Sequence, residues 1–73
     1  MHMPHTVALQ SYTNPDQWSE IARFRWHADA IEYAREISGS GRWGGRTRVE
    51  TADGAPTIHY RHGREVADQI MHD

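Results

Sequence analysis

With 73 residues, the chain has room for one small domain and too little core to enclose a large active site. A formal net charge of −2 argues against a generic nucleic-acid binder, and the lack of cysteine excludes disulfides and thiolate chemistry, leaving the redox compartment unread. No run approaches the roughly 18 apolar residues of a membrane span, and the start, MHMPHTVAL, lacks a basic region followed by a long apolar stretch. A cytoplasmic protein working at its surface is the expectation, with residues 1–5 and 71–73 fraying from the domain.

Thr6 to Tyr12 sets Val7, Leu9 and Ser11 against Ala8, Gln10 and Tyr12, the alternation of a half-buried strand. The next residues, Thr13-Asn14-Pro15-Asp16, suit a type I turn with Pro15 at its second position. They also suit a helix start, with Asn14 as N-cap, Pro15 in the first turn and Gln17 as capping-box partner. Alternation of Ala22, Phe24, Trp26 and Ala28 with Arg23, Arg25 and His27 favours the turn, followed by a second strand from Trp18 to Trp26 paired with the first as a hairpin. The competing reading is one helix from Pro15 to Ser38.

From His27 the apolar period lengthens. Ala30, Ile31, Ala34 and Ile37 share one helical face with Tyr33 at its border, while Glu32, Arg35 and Glu36 lie outside it. Asp29 suits the positive end of the helix dipole, and Gly39 suits the helix stop. Gly39 to Gly45 follows as a glycine-rich loop in which Trp43 is the only anchor; it either covers the open edge of the core or stands exposed between Arg42 and Arg46, a hot-spot composition.

Thr47, Val49 and Thr51 then alternate with Arg46, Arg48 and Glu50 in a third strand, and Asp53-Gly54 signals a hairpin into a fourth, Thr57 to His62. Beyond Gly63, the tail fits a short strand at Arg64 to Val66 or one or two helical turns. The expected fold is therefore α+β, a ββαββ antiparallel sheet with one helix packed on one face. Its core would be Val7, Leu9, Phe24, Trp26, Ile31, Ala34, Ile37, Val49, Ile58 and Tyr60. The uncovered face would carry Arg23, Arg25, Arg48, Glu50, His59 and Arg61.

All eight basic residues are arginine, a bias that either codon usage or selection for bidentate geometry would produce. The six histidines do not form a ligand set: His59 and His62, three apart on a strand, point to opposite faces, and His27 and His72 lack partners. No metal or other cofactor is expected. Glu32 and Glu36 share a helix face but no cleft would desolvate them, and the glycine loop runs from helix to strand, opposite to a phosphate loop. Enzymatic activity is not expected. Arginine and histidine on an open sheet face can meet an acidic protein or a phosphate backbone, although in this register Phe24, Trp26 and Tyr60 turn inward and leave that face nothing on which a base would stack.

The run ADAIEYAREIS, then GGRTRVETADG and IHYRHGREV, resembles uncharacterised bacterial domains with an aromatic strand, a helix and an RVxxxDG hairpin. It also resembles the small anti-CRISPR proteins that act on type I-F surveillance complexes. The matching residues are Ala34-Arg35, Gly45, Arg48-Val49-Glu50-Thr51 and Asp53-Gly54, with Tyr60 and Gly63 beyond, about half of the chain. The resemblance implies a compact, non-enzymatic phage or mobile-element inhibitor that docks on a Cas effector subunit and blocks or misdirects DNA engagement. Arginine replaces the lysine surface of that family and the Trp43 loop departs from its pattern, so no contact residues transfer. The contact residues expected from this chain's own pattern are Arg23, Arg25, Arg42, Trp43, Arg46, Arg48, His59 and Arg61. The alternatives are a nucleic-acid-binding regulator using the same arginines and a domain that self-associates through a strand edge; a monomer or homodimer with no membrane contact is expected.

Overall fold

The structure, a computed structural model, describes residues 2–11, 13–40 and 45–66. In chain order its elements are β1 (His5–Gln10), β2 (Trp18–Phe24), α1 (His27–Gly39), β3 (Arg46–Thr51), β4 (Ile58–Arg61) and β5 (Arg64–Val66). The strands form one antiparallel sheet in the order β2-β1-β3-β4-β5, with α1 packed on one face. The α+β expectation of a helix on an antiparallel sheet holds, with one element added: the sheet has a fifth strand. Both β2 and β3 run opposite to β1, so α1 carries the chain across β1 between two parallel neighbours.

The turn reading at Asn14-Pro15 holds over the continuous helix. Gln17 N–H donates to the Asn14 carbonyl at 3.0 Å, Asp16 N–H to the Asn14 side-chain oxygen at 3.1 Å, and the hairpin closes through Ser11 N–H to the Gln17 carbonyl at 2.7 Å. These bonds use the backbone groups that a helix from Pro15 would have needed. Beyond it, β2 is irregular: Val7 pairs with Ala22 and Ala8 with Glu20, so Ile21 is an extra residue and β2 is bulged there.

Helix α1 approaches closely because Ala30, Ala34 and Ser38, four residues apart, form a stripe of small side chains toward the sheet, all buried. They meet Val7, Val49 and Tyr60, with Ala22, Phe24, Ile31, Tyr33 and Ile58 packed around the rim. Full burial of Val7 and of Val49 contributes roughly 1.5–3 kcal/mol each. Leu9 and Ile37 are half-buried and line a groove with Ile21 and Tyr33. Trp26 is a correction to the expected core. β2 ends at Phe24, two residues before the alternation suggests, and Trp26 is the residue from which the helix starts; it is 61 % exposed, with the Arg25 guanidinium 5.1 Å from its ring centre.

Two hydroxyls pin the helix to the sheet. Thr47, fully buried, donates from Oγ1 to the Ala34 carbonyl at 2.9 Å. Ser38 donates from Oγ to the Arg35 carbonyl at 3.1 Å and accepts the Gly63 N–H at 2.8 Å. Gly63 belongs to the two-residue turn between β4 and β5. His62 and Gly63 both have positive φ, 53° and 81°, as a type I′ hairpin requires. Of the two fates open to the tail, Arg64–Val66 takes the strand; Tyr12, the Trp43 loop from residue 41 to 44 and residues 67–73 lie outside the described residues. Among the described residues no helix is long and apolar enough to cross a membrane.

Two expectations follow. Ser38→Ala leaves the part-buried Gly63 N–H without its acceptor and should cost about 1–3 kcal/mol in urea unfolding. The Tyr60 phenol is held above its ordinary range, first by burial and then by the Glu65 carboxylate, against a smaller pull from Arg35. The folded state thus favours the neutral phenol, so its contribution is complete below the unfolded value of about 10 and is lost as pH rises past it. Urea midpoints should fall with pH in that window, and Tyr60→Phe should flatten the fall.

Candidate anion-binding face

On the sheet face away from α1, the strand registers bring together residues distant in sequence. Arg46 stands opposite Arg61, and Arg61 opposite Arg64, so guanidinium-bearing side chains occupy neighbouring places across β3, β4 and β5. One step along the strands, Ala8, Arg48, His59 and Val66 follow one another across β1, β3, β4 and β5. One step further, Arg23 and Glu50 flank Thr6.

Cross-strand neighbours lie about 4.5–5.5 Å apart at Cβ, where like charges destabilise a sheet. Elsewhere on the face the charges are matched. Arg23 binds the Glu20 carboxylate at 2.6 Å, which holds the acid below its usual range mainly through the hydrogen bond. Arg48 forms an ion pair with the Glu50 carboxylate. Arg61 and Arg64, side by side across β4 and β5 with Arg46 next to Arg61, have no carboxylate paired with either of the two among the described residues.

The bulge at Ile21 brings an aromatic to this face. In an unbroken strand Trp18 would share a side with Ala22 and Phe24, which face the helix. The extra residue reverses that parity, so Trp18 pairs with Gln10 and Glu20 with Ala8, on the side away from α1. From there the indole reaches over β1 at the place of Ala8 to contact β3 and β4. The Arg48 guanidinium sits 4.3 Å from its ring centre, and the His59 ring meets it edge-on at 6.0 Å. Ala8 and His59 are 4 % and 9 % exposed, although α1 lies on the other face. A small residue at position 8 is what lets Trp18 and Arg48 meet across the intervening strand.

Beside this cluster lies an open groove of about 620 Å3, lined among others by Gln10, Asp16, Trp18, Arg46, Arg48 and Thr57. Such a volume is in the range of small-ligand sites. Its wall combines an aromatic ring, guanidinium groups, the Asp16 and Glu50 carboxylates, the Thr57 hydroxyl, the His59 ring and the Gln10 amide oxygen, the Gln10 NH2 donating to the Pro15 carbonyl at 2.8 Å.

Of the residues expected to make contact, Arg46, Arg48, His59 and Arg61 come together here. Arg23 is on the same face near the β2 edge, tied to Glu20. Arg25 is corrected: it lies in the bend after β2, beside Trp26, and is no part of the sheet face. Arg42 and Trp43 lie outside the described residues. Sequence reasoning missed Arg64, because the tail was open between strand and helix, and Trp18, because nothing in simple alternation marks a bulge. His62-Gly63 between two alternating runs was the available sign of the last hairpin. Among the described residues, no three side chains of the histidine, aspartate and glutamate types gather as metal ligands would.

Comparison with protein-family models, with curated proteins and with solved structures finds no match, so the geometry of this face is what bears on function. If the arginine row is held against its own repulsion, Arg61→Thr should stabilise the fold by about 0.2–1 kcal/mol at low salt, shrinking as salt rises. Urea titrations at two ionic strengths measure this; a loss of stability would mean that Arg61 is a structural residue.

Proposed function

We propose that this protein is a non-enzymatic binding module that docks the sheet face opposite α1 on an anionic macromolecule. The observation that carries this reading is the cross-strand pair Arg61 and Arg64, with Arg46 next to Arg61. A face that needed only solubility would set opposite signs side by side, as β3 does along its own length at Arg48 and Glu50. Side-by-side guanidiniums cost stability in the free protein and recover it against phosphates or carboxylates, which each can grip bidentately. The overall charge of −2 does not oppose this, because a local field of one sign governs encounter at short range when salt screens beyond about 8–10 Å.

The inhibitor role implied by the anti-CRISPR resemblance is one form of this reading. A Cas effector exposes guide and target phosphates, and a face of this kind would compete for the protein surfaces or the strands that engage DNA. About 800 Å2 on this side is an ordinary interface, within the scale of one sheet face. Co-purification with effector complexes of several types tests that form; binding to none removes the Cas partner and leaves the docking mode to be judged on its own.

The docking mode itself is tested on a heparin matrix, a polyanion without bases. The protein should be retained at low salt and released as salt rises, while R61Q/R64Q elutes earlier. Passage of the parent protein without retention would overturn the proposal.

A further inference from the structure

We propose that one anionic surface on which this face docks is α1 of a second copy, with Arg61 and Arg64 of one molecule seated against Glu32 and Glu36 of the next. The inference rests on the docking reading above and names one partner for the same two arginines. Three observations carry it. First, both halves of such a contact are present and unpaired in one molecule. The ion pairs among the described residues are Arg23 with Glu20 and Arg48 with Glu50, which leaves Arg61, Arg64, Glu32 and Glu36 exposed with no oppositely charged group in reach.

Second, the spacings match. Arg61 stands opposite Arg64 across the β4–β5 ladder, which sets their Cβ atoms about 4.5–5.5 Å apart. Glu32 and Glu36, four residues apart on α1, are separated by about 5–6 Å. Each guanidinium can therefore face one carboxylate at the same time, in the bidentate geometry the two groups share. The two acids also line a shallow recess of about 370 Å3 with Arg35 and Gly63, a concave seat for an incoming side chain. Arg35 offsets one of the two charges there, and Asp29, exposed on the turn before Glu32, keeps the outer side of α1 acidic.

Third, the two surfaces look in opposite directions. At about 100° per residue, Glu32 and Glu36 lie roughly 180° around α1 from the buried Ala30, Ala34 and Ser38, while Arg61 and Arg64 are on the sheet face away from α1. Charge is thus separated through the layers of the fold, and the small net charge of −2 adds little overall repulsion between copies. A contact between unlike surfaces joins copies head to tail rather than as a two-fold pair. Its strength is that of exposed ion pairs, so it forms at low salt and high concentration and yields to any tighter anionic partner of Arg61 and Arg64.

Sedimentation equilibrium of the full chain, from micromolar to millimolar concentration at about 10 mM salt, tests the proposal. The mean mass should rise above that of the monomer with concentration and return to it at about 1 M salt, where the screening length is about 3 Å. R61E/R64E and E32R/E36R should each stay monomeric. The quadruple variant E32R/E36R/R61E/R64E keeps the net charge of −2, since two acids become arginine and two arginines become glutamate, and with both surfaces reversed it should associate like the parent. Its recovery also excludes misfolding as the reason that the double variants remain monomeric. On heparin, E32R/E36R should still be retained, because its arginine pair is intact. If the parent stays monomeric throughout, if either double variant associates like the parent, or if the quadruple variant does not associate, docking on a second copy is overturned, and retention of the parent on heparin leaves the docking reading standing. If neither association nor heparin retention occurs, both fall.

Discussion

One surplus residue in β2, Ile21, decides which side chains each face of the sheet receives. Side chains alternate with a period of two along a strand, so an inserted residue exchanges the faces for everything on one side of it. Toward the C-terminal end of β2, Ala22 and Phe24 complete the layer under α1. Toward the N-terminal end, Trp18 and Glu20 are delivered to the opposite face, where the indole covers Ala8 and meets Arg48. Without the irregularity the tryptophan would crowd a helix whose approach depends on alanine and serine, and the far face would be polar throughout. Both the closeness of α1 and the aromatic character of the other surface follow from it.

The far face shows a division of labour among its arginines. Arg23 and Arg48 each pair with a nearby carboxylate, Arg23 in the exposed arrangement that contributes little to stability and Arg48 half-buried beside Trp18. Arg46, Arg61 and Arg64 are gathered by strand register, which has no regard for the sign of the charge. Register is fixed by the buried side: Val49 faces Ile58 and Thr47 faces Tyr60, and those contacts force the arginines into line behind them. A core of apolar and hydroxyl side chains therefore sets the geometry of a charged surface it never touches. That arrangement suits a domain of this size, in which no volume is spare for an enclosed site.

Much of the fold was legible because its signals are local and periodic. The change from two-residue to three- and four-residue spacing from His27 located the helix, Asp53-Gly54 located the turn between β3 and β4, and the alternation of Arg46 to Thr51 placed its even-numbered residues outward. Trp26 was misplaced because alternation continues past the point where the backbone turns into the helix, and a pattern of residue types does not register where strand pairing stops. Trp18 was overlooked for a related reason: a bulge changes parity without changing composition. The last strand was undecided since three residues carry too little periodicity, and only the paired positive φ angles of His62 and Gly63 make it a hairpin. In the candidate site, the arginines could be read from the sequence singly, whereas their adjacency and the groove beside them depend on cross-strand register that no single strand encodes.

The same irregularity in β2 has a bearing on how the molecule behaves among copies of itself. β2 lies at the border of the sheet, where unsatisfied amides invite a foreign strand to add on. Breaking its ladder midway, and setting Glu20 and Arg23 on either side of the break, spoils the flat template that fibril growth or edge-to-edge polymerisation would need. The opposite border, β5, is only Arg64–Val66 and offers scarcely more purchase. Among the described residues, neither border of the sheet therefore offers a second copy a long, unbroken strand to extend.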